Sequence, residues 1–351
     1  MKNPFLKVIV FFVFLIMGSG CYRYAHISLY EDALKEIQLG ERVLHLNFII
    51  GKERKIAPVS MTVDANGNIY ILDEKKQGLF QYSSSGSFKK RIELKTESAK
   101  VFSPKSVAIN SNDNIILMDV HKRMRSKKRI HLISLTGDTL VTKELLYYYS
   151  DFSYCGSALF FSTYDPKRTK LIAKIPLSGS NSLEFGKMFN TQNPQLHYIN
   201  NQVSICSDRS ENVLLCYTFL PKVSIFSLDG IFIREFEFDD EIKNKKDSIN
   251  IIPPIAPTKR VGNIGFADFG VEVHPICFDI AVQDQENIFL LTAVDHEKPH
   301  KRAIFRFDFL GNLLNKTILP FSCDKIYADT QGNLYFIGVA GGKYILTYQF
   351  L

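Results

Sequence analysis

The chain has 351 residues, of which 46% are hydrophobic and 23% charged, and its formal net charge is +7 at pH 7. These values are typical of a folded globular protein, so they exclude extended disorder. The sequence also lacks a CxxC pair, a Gly-rich phosphate loop and the HExxH and GxSxG motifs. The best-marked zinc, nucleotide and esterase sites are therefore excluded as well.

The first twenty residues have the pattern of a targeting segment. Lys2 and Lys7 form a basic start, and the apolar run Val8–Met17 is too short to span a membrane comfortably. The small residues Gly18–Gly20 directly before Cys21 resemble a bacterial lipoprotein cleavage site, although Gly18 stands where such sites usually have leucine. We predict a signal peptide over 1–20 and lipidation of Cys21. An ordinary secretory signal and an uncleaved anchor are the alternatives.

The stretch after Cys21 is predicted to be a lipid-anchored tether over 21–42, with a short helix predicted over 30–38.

The stretch Pro58–Leu94 then contains four short apolar runs separated by turn residues. Asn66-Gly67 between two of these runs is a strong hairpin signal, because both residues tolerate positive φ. Four antiparallel strands in fewer than about 40 residues match the size of one propeller blade.

The same pattern returns along the chain. An Asn opens the second strand of most copies, and these residues are Asn68, Asn114, Asn212, Asn287 and Asn333, with Ala158 at that position in a degenerate third copy. The predicted blades are 58–94, 104–146, 151–186, 195–238, 275–319 and 323–351. The last blade lacks a fourth strand, and Val43–Ile50 is predicted to supply it. Such pairing would close the ring and remove open sheet edges.

The repeats resemble the six-bladed β-propellers of the NHL and TolB-like group. The resemblance lies in the motifs that span Pro58–Asp73, Pro104–Asp119, Phe278–Leu291 and Lys325–Ile337. It implies an all-β propeller over 43–351. Some propellers of this size are gluconolactonase-like enzymes or lyases, whose acidic, Asn or His residues converge on a metal in the central channel. Tryptophan is absent, so the Trp-Asp signature of WD40 repeats is not available.

An insertion and five cysteines depart from the repeat. Asp239–His274 is rich in proline and glycine and is predicted to be an irregular connection that overhangs the channel. The cysteines after Cys21 are predicted to be buried free thiols. A Cys277–Cys323 bridge between blades 5 and 6 is the alternative.

Basic residues concentrate in the loops between second and third strands, which lie on one face of a propeller. These loops contain sixteen basic and six acidic residues. The main members of this basic rim are Lys122, Arg123, Arg125, Lys127, Lys128, Arg129, Lys167, Arg168, Lys301 and Arg302. We expect the rim to attract an anionic glycan, a lipid or an acidic envelope protein, with solvated loops as the alternative. No nucleic-acid partner is expected.

The channel offers fewer candidates. Ser60, Ser106, Asp279 and Lys325 occupy equivalent positions on inner strands, and His274 could approach the channel mouth. No catalytic residue and no cofactor is predicted, although Asp279 could bind a divalent metal unless Lys325 pairs with it. The sequence therefore favours a monomeric, non-catalytic binding or scaffold lipoprotein of the bacterial cell envelope. The alternative is a metal-dependent hydrolase or lyase with its site in the channel.

Overall fold

The computed structural model describes residues 34–51, 56–73, 75, 78–94, 103–110, 112–120, 128–145, 149–163, 168–177, 182–189, 194–208, 212–238, 275–283, 286–294, 301–339 and 344–350. They form six antiparallel sheets arranged as a six-bladed β-propeller. In each blade the first strand lies innermost, at the channel; the fourth lies at the outer edge in five blades, and the sixth blade has a fifth strand outside it. No helix within these ranges is long and apolar enough to cross a membrane.

The first three blades follow the predicted boundaries closely. Blade 1 consists of β3 (Pro58–Val63), β4 (Ile69–Asp73), β5 (Gly78–Tyr82) and β6 (Phe88–Glu93). Blade 2 consists of β7 (Pro104–Ile109), β8 (Ile115–Val120), β9 (Lys128–Ile133) and β10 (Thr139–Leu145). Blade 3 consists of β11 (Tyr149–Cys155), β12 (Ala158–Thr163), β13 (Lys170–Pro176) and β14 (Leu183–Lys187).

The remaining blades complete the ring. Blade 4 consists of β15 (Val203–Ser207), β16 (Asn212–Tyr217), β17 (Lys222–Ser227) and β18 (Phe232–Glu237). Blade 5 consists of β19 (Cys277–Gln283), β20 (Asn287–Ala293), β21 (Arg302–Phe307) and β22 (Leu313–Ile318). Blade 6 consists of β23 (Lys325–Ala328), β24 (Asn333–Gly338), β25 (Tyr344–Phe350), β2 (Arg42–Ile50) and β1 (Glu36–Leu39).

The predicted ring closure is confirmed. Strand β2 pairs antiparallel with β25, with Leu44 opposite Phe350 and Ile50 opposite Ile345. The helix predicted over 30–38 is wrong in its last part, because Glu36–Leu39 is a strand that pairs with β2 as a fifth strand of blade 6. The propeller therefore begins before residue 42, where the tether was predicted to end.

One helix, α1 (Pro194–Asn201), precedes the inner strand of blade 4 and was not predicted. The Asn201 side chain donates to the carbonyls of His197 and Phe189, at 2.7 and 3.0 Å, and fixes the end of this helix. The predicted insertion Asp239–His274 lies outside the described residues.

The buried apolar side chains form six clusters, one at each interface between adjacent blades. The inner strands of each blade are buried along nearly their whole length, because both faces of a blade pack against neighbouring blades. Strand β4, for instance, is buried at all five positions. The ring is thus held by blade-to-blade packing, and each blade depends on both of its neighbours.

The turns between third and fourth strands lock successive blades together. In blade 5, Gly311 has φ +87°, and a Cβ built there would lie 2.6 Å from the ring of Phe236 on the outer strand of blade 4. In blade 4, Gly230 meets Phe185 of blade 3 in the same way, at 2.7 Å. Glycine recurs in these turns because the conformation and the close approach both exclude a side chain.

Candidate functional site

Six equivalent residues, one on each inner strand, define what we call the inner ring. They are Ser60, Ser106, Asp151, Ser204, Asp279 and Lys325. Five of them pair with the residue twelve positions later on the neighbouring strand of the same blade. Asp151 fills this position in blade 3, where its backbone N–H donates to Ser162 Oγ eleven positions later, at 3.2 Å. The inner ring therefore contains two carboxyl groups and one ammonium group.

The inner ring borders a cavity of about 460 Å³ in the central channel. Every inner-ring residue except Ser204 lines it, together with the polar side chains of Thr62, Ser153 and Cys206. Asp279 is buried, whereas Asp151 and Lys325 are partly accessible from the cavity. A volume of this size is typical of small-molecule sites, which span roughly 300–1,000 Å³.

Lys325 is held as an ammonium ion. The pKa of Lys325 is raised above its ordinary value, chiefly by the charge of Asp151 and then by Asp279 and Asp324, although burial opposes this shift. A lysine in this state donates hydrogen bonds and is not a nucleophilic amine at neutral pH. The expected Asp279–Lys325 pairing is thus part of a three-residue cluster in which Asp151 has the larger effect on Lys325.

In contrast to Lys325, the charged form of Asp279 is disfavoured by its surroundings. Burial raises the pKa of Asp279 to about 7, and Asp151 contributes in the same direction. Lys325 and the backbone N–H groups of Ile326 and Ile280 oppose the shift. A carboxyl group with this pKa can donate or accept a proton near neutral pH, which is the property required of a general acid or base.

Asp279 also joins two blades. Its Oδ2 accepts a hydrogen bond from the backbone N–H of Ile326 in blade 6, at 3.0 Å. The equivalent Ser60 Oγ in blade 1 accepts from the N–H of Val107 in blade 2, at 3.2 Å. Ser60 and Asp279 therefore both join adjacent blades, and the carboxyl group of Asp279 can in addition exchange a proton.

Cys206 is the cavity-lining thiol closest to this cluster. Burial raises the pKa of Cys206 well above its ordinary value, and the carboxylates of Asp279 and Asp208 add to the shift. A thiol of this kind is a poor nucleophile, since reactivity belongs to the thiolate. All five cysteines between residues 155 and 323 are free, and four are fully buried. The prediction of free thiols is confirmed, and no Cys277–Cys323 bridge is formed.

The turns after the inner strands explain the recurring Asn of the repeat. Asp64 Oδ1 accepts hydrogen bonds from the backbone N–H groups of Asn66 and Asn68, and its Oδ2 accepts from Asn68 Nδ2 and Tyr70 Oη. Asp329 makes the matching set in blade 6. In sequence these turns resemble part of a calcium-binding loop. Their carboxylates, however, accept hydrogen bonds from residues of the hairpin itself.

Half of the predicted basic rim lies within the described residues. Arg129 donates to the buried carboxylate of Asp119 through Nε at 3.1 Å and through its terminal nitrogen at 2.6 Å. Arg168 pairs with Glu184. Arg302 is buried, with Nε donating to the carbonyl of Cys323 at 3.0 Å. These three arginines stabilise the blades, so their charge is largely used within the molecule.

The other two described members of the rim are Lys301, which is exposed, and Lys128, which is half-buried. Burial lowers the pKa of Lys128 to about 8, and the charge of Asp151 opposes this shift. The Asp151 carboxylate thus acts on both Lys128 at the rim and Lys325 in the channel. Lys122, Arg123, Arg125, Lys127 and Lys167 lie outside the described residues, as does His274.

The inner ring lacks the ligand set that a divalent metal requires. Within the described ranges, no group of three or more His, Cys, Asp and Glu side chains is placed to hold a metal ion. At the inner ring, an ammonium group accompanies the two carboxyl groups, and it would compete with a cation. These residues do not fit a metal centre, and no chemical step is derived through one.

Sequence comparison gives no relative: no family model matches the chain, and no curated protein matches it. Solved structures do match. One is a member of the DUF4221 family from Bacteroides vulgatus, with a TM-score of 0.56 and 12% identity, covering 91% of this chain and 99% of that one. Another is a PQQ-bound aldose sugar dehydrogenase from Streptomyces coelicolor, with a TM-score of 0.54 and 8% identity, covering 90% and 100%.

A third match is virginiamycin B lyase from Staphylococcus aureus, with a TM-score of 0.50 and 13% identity, covering 87% of this chain and 99% of the lyase. At identities this low, structural similarity shows the fold but says nothing about activity. The comparisons and the strand topology agree that the chain is a six-bladed β-propeller.

Proposed function

We propose that this protein is a binding module whose ligand site is the central channel, and that the ligand is a small, neutral, hydroxyl-rich molecule such as a mono- or disaccharide. The observation that carries the proposal is the convergence of Asp151, Asp279 and Lys325 on one cavity of about 460 Å³. Convergent polar groups in a large concave site are the usual sign of a ligand site.

The charge balance of the cavity supports a neutral ligand. Four aspartates and one lysine line the cavity. Asp208 and Asp329 accept hydrogen bonds within their own hairpin turns, which leaves Asp151, a half-ionised Asp279 and the ammonium group of Lys325 to meet a ligand. A strongly anionic ligand would meet the carboxyl groups, and a strongly cationic one would meet the ammonium group. Hydroxyl groups can donate to Asp151 and accept from Lys325, so a polyol satisfies both without adding a buried charge.

The test is a binding screen by ligand-observed NMR with a panel of neutral mono- and disaccharides. A polyamine and a dicarboxylate serve as charged comparisons. We expect saturation transfer to at least one neutral sugar, and loss of most of it in D151N, which keeps the side-chain shape. The matched control is D229N, which alters an exposed carboxylate on an outer turn. Transfer only to a charged comparison, or equal transfer in D151N and wild type, would contradict the proposal.

Acid–base catalysis on the bound ligand is the second candidate. It is favoured by the carboxyl group of Asp279, whose pKa of about 7 suits proton transfer at neutral pH. Under this reading the protein is a hydrolase or lyase whose chemistry needs Asp279 and no metal. The substitution D279N should then abolish turnover of a bound sugar ester or lactone, while the ligand still binds through Asp151 and Lys325. A bound sugar that stays unchanged in wild type would leave binding as the function.

We further propose that the protein is lipid-anchored in the bacterial cell envelope and belongs to the NHL and TolB-like group of propellers. Support comes from the segment Val8–Met17, the Cys21 that follows it, and the repeat motifs.

The basic rim remains a proposed second contact, for an anionic envelope glycan, lipid or protein. Since Arg129, Arg168 and Arg302 are used within the blades, its test is the triple reversal of Lys122, Arg123 and Arg125 to Glu. This variant should elute from heparin at lower salt than wild type, because exposed charges are screened over about 8 Å at physiological ionic strength. Identical elution would show that the rim is only a solvated surface.

A further inference from the structure

A second set of six equivalent residues lies next to the inner ring along the channel. Side chains of a strand point alternately to opposite sides, so the residues two positions after the inner ring face the same way as the inner ring itself. All six line the cavity, and we call them the second ring: Thr62, Ala108, Ser153, Cys206, Ala281 and Tyr327. Five of them pair with the residue eight positions later on the neighbouring strand, and Ser153 pairs with Phe160, seven positions later. The second ring is therefore the layer of side chains that bounds the middle of the cavity.

The second ring is aromatic in one blade and small in the other five. Threonine, alanine, serine and cysteine side chains leave the centre of the channel open, whereas Tyr327 of blade 6 places a phenol ring at its wall. Tyr327 is half-buried, so the accessible part of its ring borders the cavity. Phe152 and Tyr154 also border the cavity, but they lie at alternate positions to Ser153 and pack into the cluster between blades 2 and 3. Tyr327 is thus the aromatic side chain that faces the channel together with the second ring.

The Tyr327 ring is held in place by its neighbours. Its centroid lies 6.0 Å from that of the Tyr335 ring, and the two planes meet at 61°. Tyr335 is itself fixed, since it is 1% exposed and its hydroxyl donates to Asp329 Oδ2 at 2.8 Å. Tyr327 also packs against the apolar cluster between blades 6 and 1. A fixed aromatic side chain loses little rotamer entropy when a ligand binds, so Tyr327 is a preordered contact surface.

Tyr327 and the charged groups of the inner ring can meet the same ligand. Tyr327 follows Lys325 by two positions on β23, a distance of about 7 Å along the strand. In a ring of six blades, blade 3 with Asp151 lies opposite blade 6. A ligand placed on Tyr327 can therefore reach the ammonium group of Lys325 and the carboxylate of Asp151 with its hydroxyl groups.

We propose that Tyr327 is the stacking platform of the channel and that it makes the site selective for cyclic sugars over open-chain polyols. This inference rests on the proposed function. The face of an aromatic ring is negative, and it attracts the weakly positive C–H groups on one face of a sugar ring. An open-chain polyol can offer the same hydroxyl groups to Asp151 and Lys325, but it has no such face and loses more conformational freedom on binding. The ligand class is thereby narrowed from neutral polyols to pyranoses.

The test compares three sugars with the open-chain polyols of the same configuration: glucose with glucitol, galactose with galactitol and mannose with mannitol. Each is titrated by NMR into wild type, Y327L, Y327F and the control Y344L, which alters a half-buried tyrosine of β25 that does not line the cavity. We expect wild type to bind at least one sugar about tenfold more tightly than its polyol, with an upfield shift of the sugar C–H protons beside the aromatic ring. Y327L should remove that shift and weaken sugar binding about three- to tenfold. Y327F and Y344L should keep both the shift and the preference for the sugar.

The outcomes separate this inference from the proposed function. If no sugar and no polyol binds, both are overturned. If sugars and polyols bind equally tightly and D151N removes their binding, the channel is a ligand site but selectivity through Tyr327 is refuted. An upfield shift that is absent in wild type, or that persists in Y327L, would also refute the stacking, whatever the stability of the variant.

Discussion

The substitution D279N tests the electrostatics of the inner ring. The ordinary pKa of an aspartate is 3.8, and burial with Asp151 nearby raises that of Asp279 to about 7. Between these two values Asp279 is more protonated in the folded state than in the unfolded state, so its contribution to the free energy of unfolding should fall as pH rises from 4 to 7. A shift of about 3 units corresponds to a loss of about 4 kcal/mol, with the full cost present above pH 7.

In D279N that ionisation is absent, while the amide oxygen can still accept from Ile326 N–H, as Oδ2 does in the wild type. Urea unfolding of both proteins at several pH values from 4 to 8 measures the effect. The two should have similar free energies of unfolding near pH 4, and D279N should be more stable by about 4 kcal/mol at pH 8. D229N is the control and should follow the wild-type profile. Parallel profiles for D279N and wild type would refute the reasoning.

Three further substitutions test the fold and the anchor. R129M removes the arginine that pairs with the fully buried Asp119 carboxylate and, among the described residues, leaves only His131 Nε2, at 3.3 Å, beside it. It should lower the free energy of unfolding by about 3–5 kcal/mol, measured by urea unfolding, with R129K as a milder comparison; an unchanged midpoint would contradict the buried pair. G311A introduces a Cβ at positive φ against Phe236 and should cost about 1–3 kcal/mol in the same assay, whereas a neutral effect would refute the close approach. C21S should move the protein from the membrane fraction to the soluble fraction, because lipidation needs the thiol; a C21S protein that stays membrane-bound would favour an uncleaved anchor.

The propeller could be predicted from the sequence because its repeat has a local cause. The Asp-Asn hydrogen bonds that close the first hairpin of blades 1, 4 and 6 lie within four residues, as between Asp64 and Asn68, so they leave a visible motif. Strand β1 was missed although it forms a local hairpin with β2, whose two-residue turn Gly40-Glu41 has φ +66° at the glycine. Helix α1 has no such motif, and periodicity does not record the tertiary contacts that favour it.

Four of the six inner-ring residues were predicted, and Ser204 and Asp151 were missed. Asp279 and Lys325 lie eight residues before Asn287 and Asn333, and the same count finds Ser204. In blade 3 the marker is Ala158, and the tight turn at Gly156, with φ +61°, shortens the spacing to seven. Asp151 was missed, although a spacing rule that tolerates one deletion would have found it. The internal pairing of Arg129 could not be read from a basic run, because its partner Asp119 is set by strand register.

The central claim is that Asp151, Asp279 and Lys325 form a ligand site in the channel. The most direct measurement is a crystal structure of the protein with a neutral sugar that binds in the NMR screen. The account predicts sugar density inside the cavity of about 460 Å³, with hydroxyl groups within hydrogen-bond distance of Asp151 and Lys325. Sugar density on the outer loops, with no hydroxyl group near Asp151 or Lys325, would contradict it.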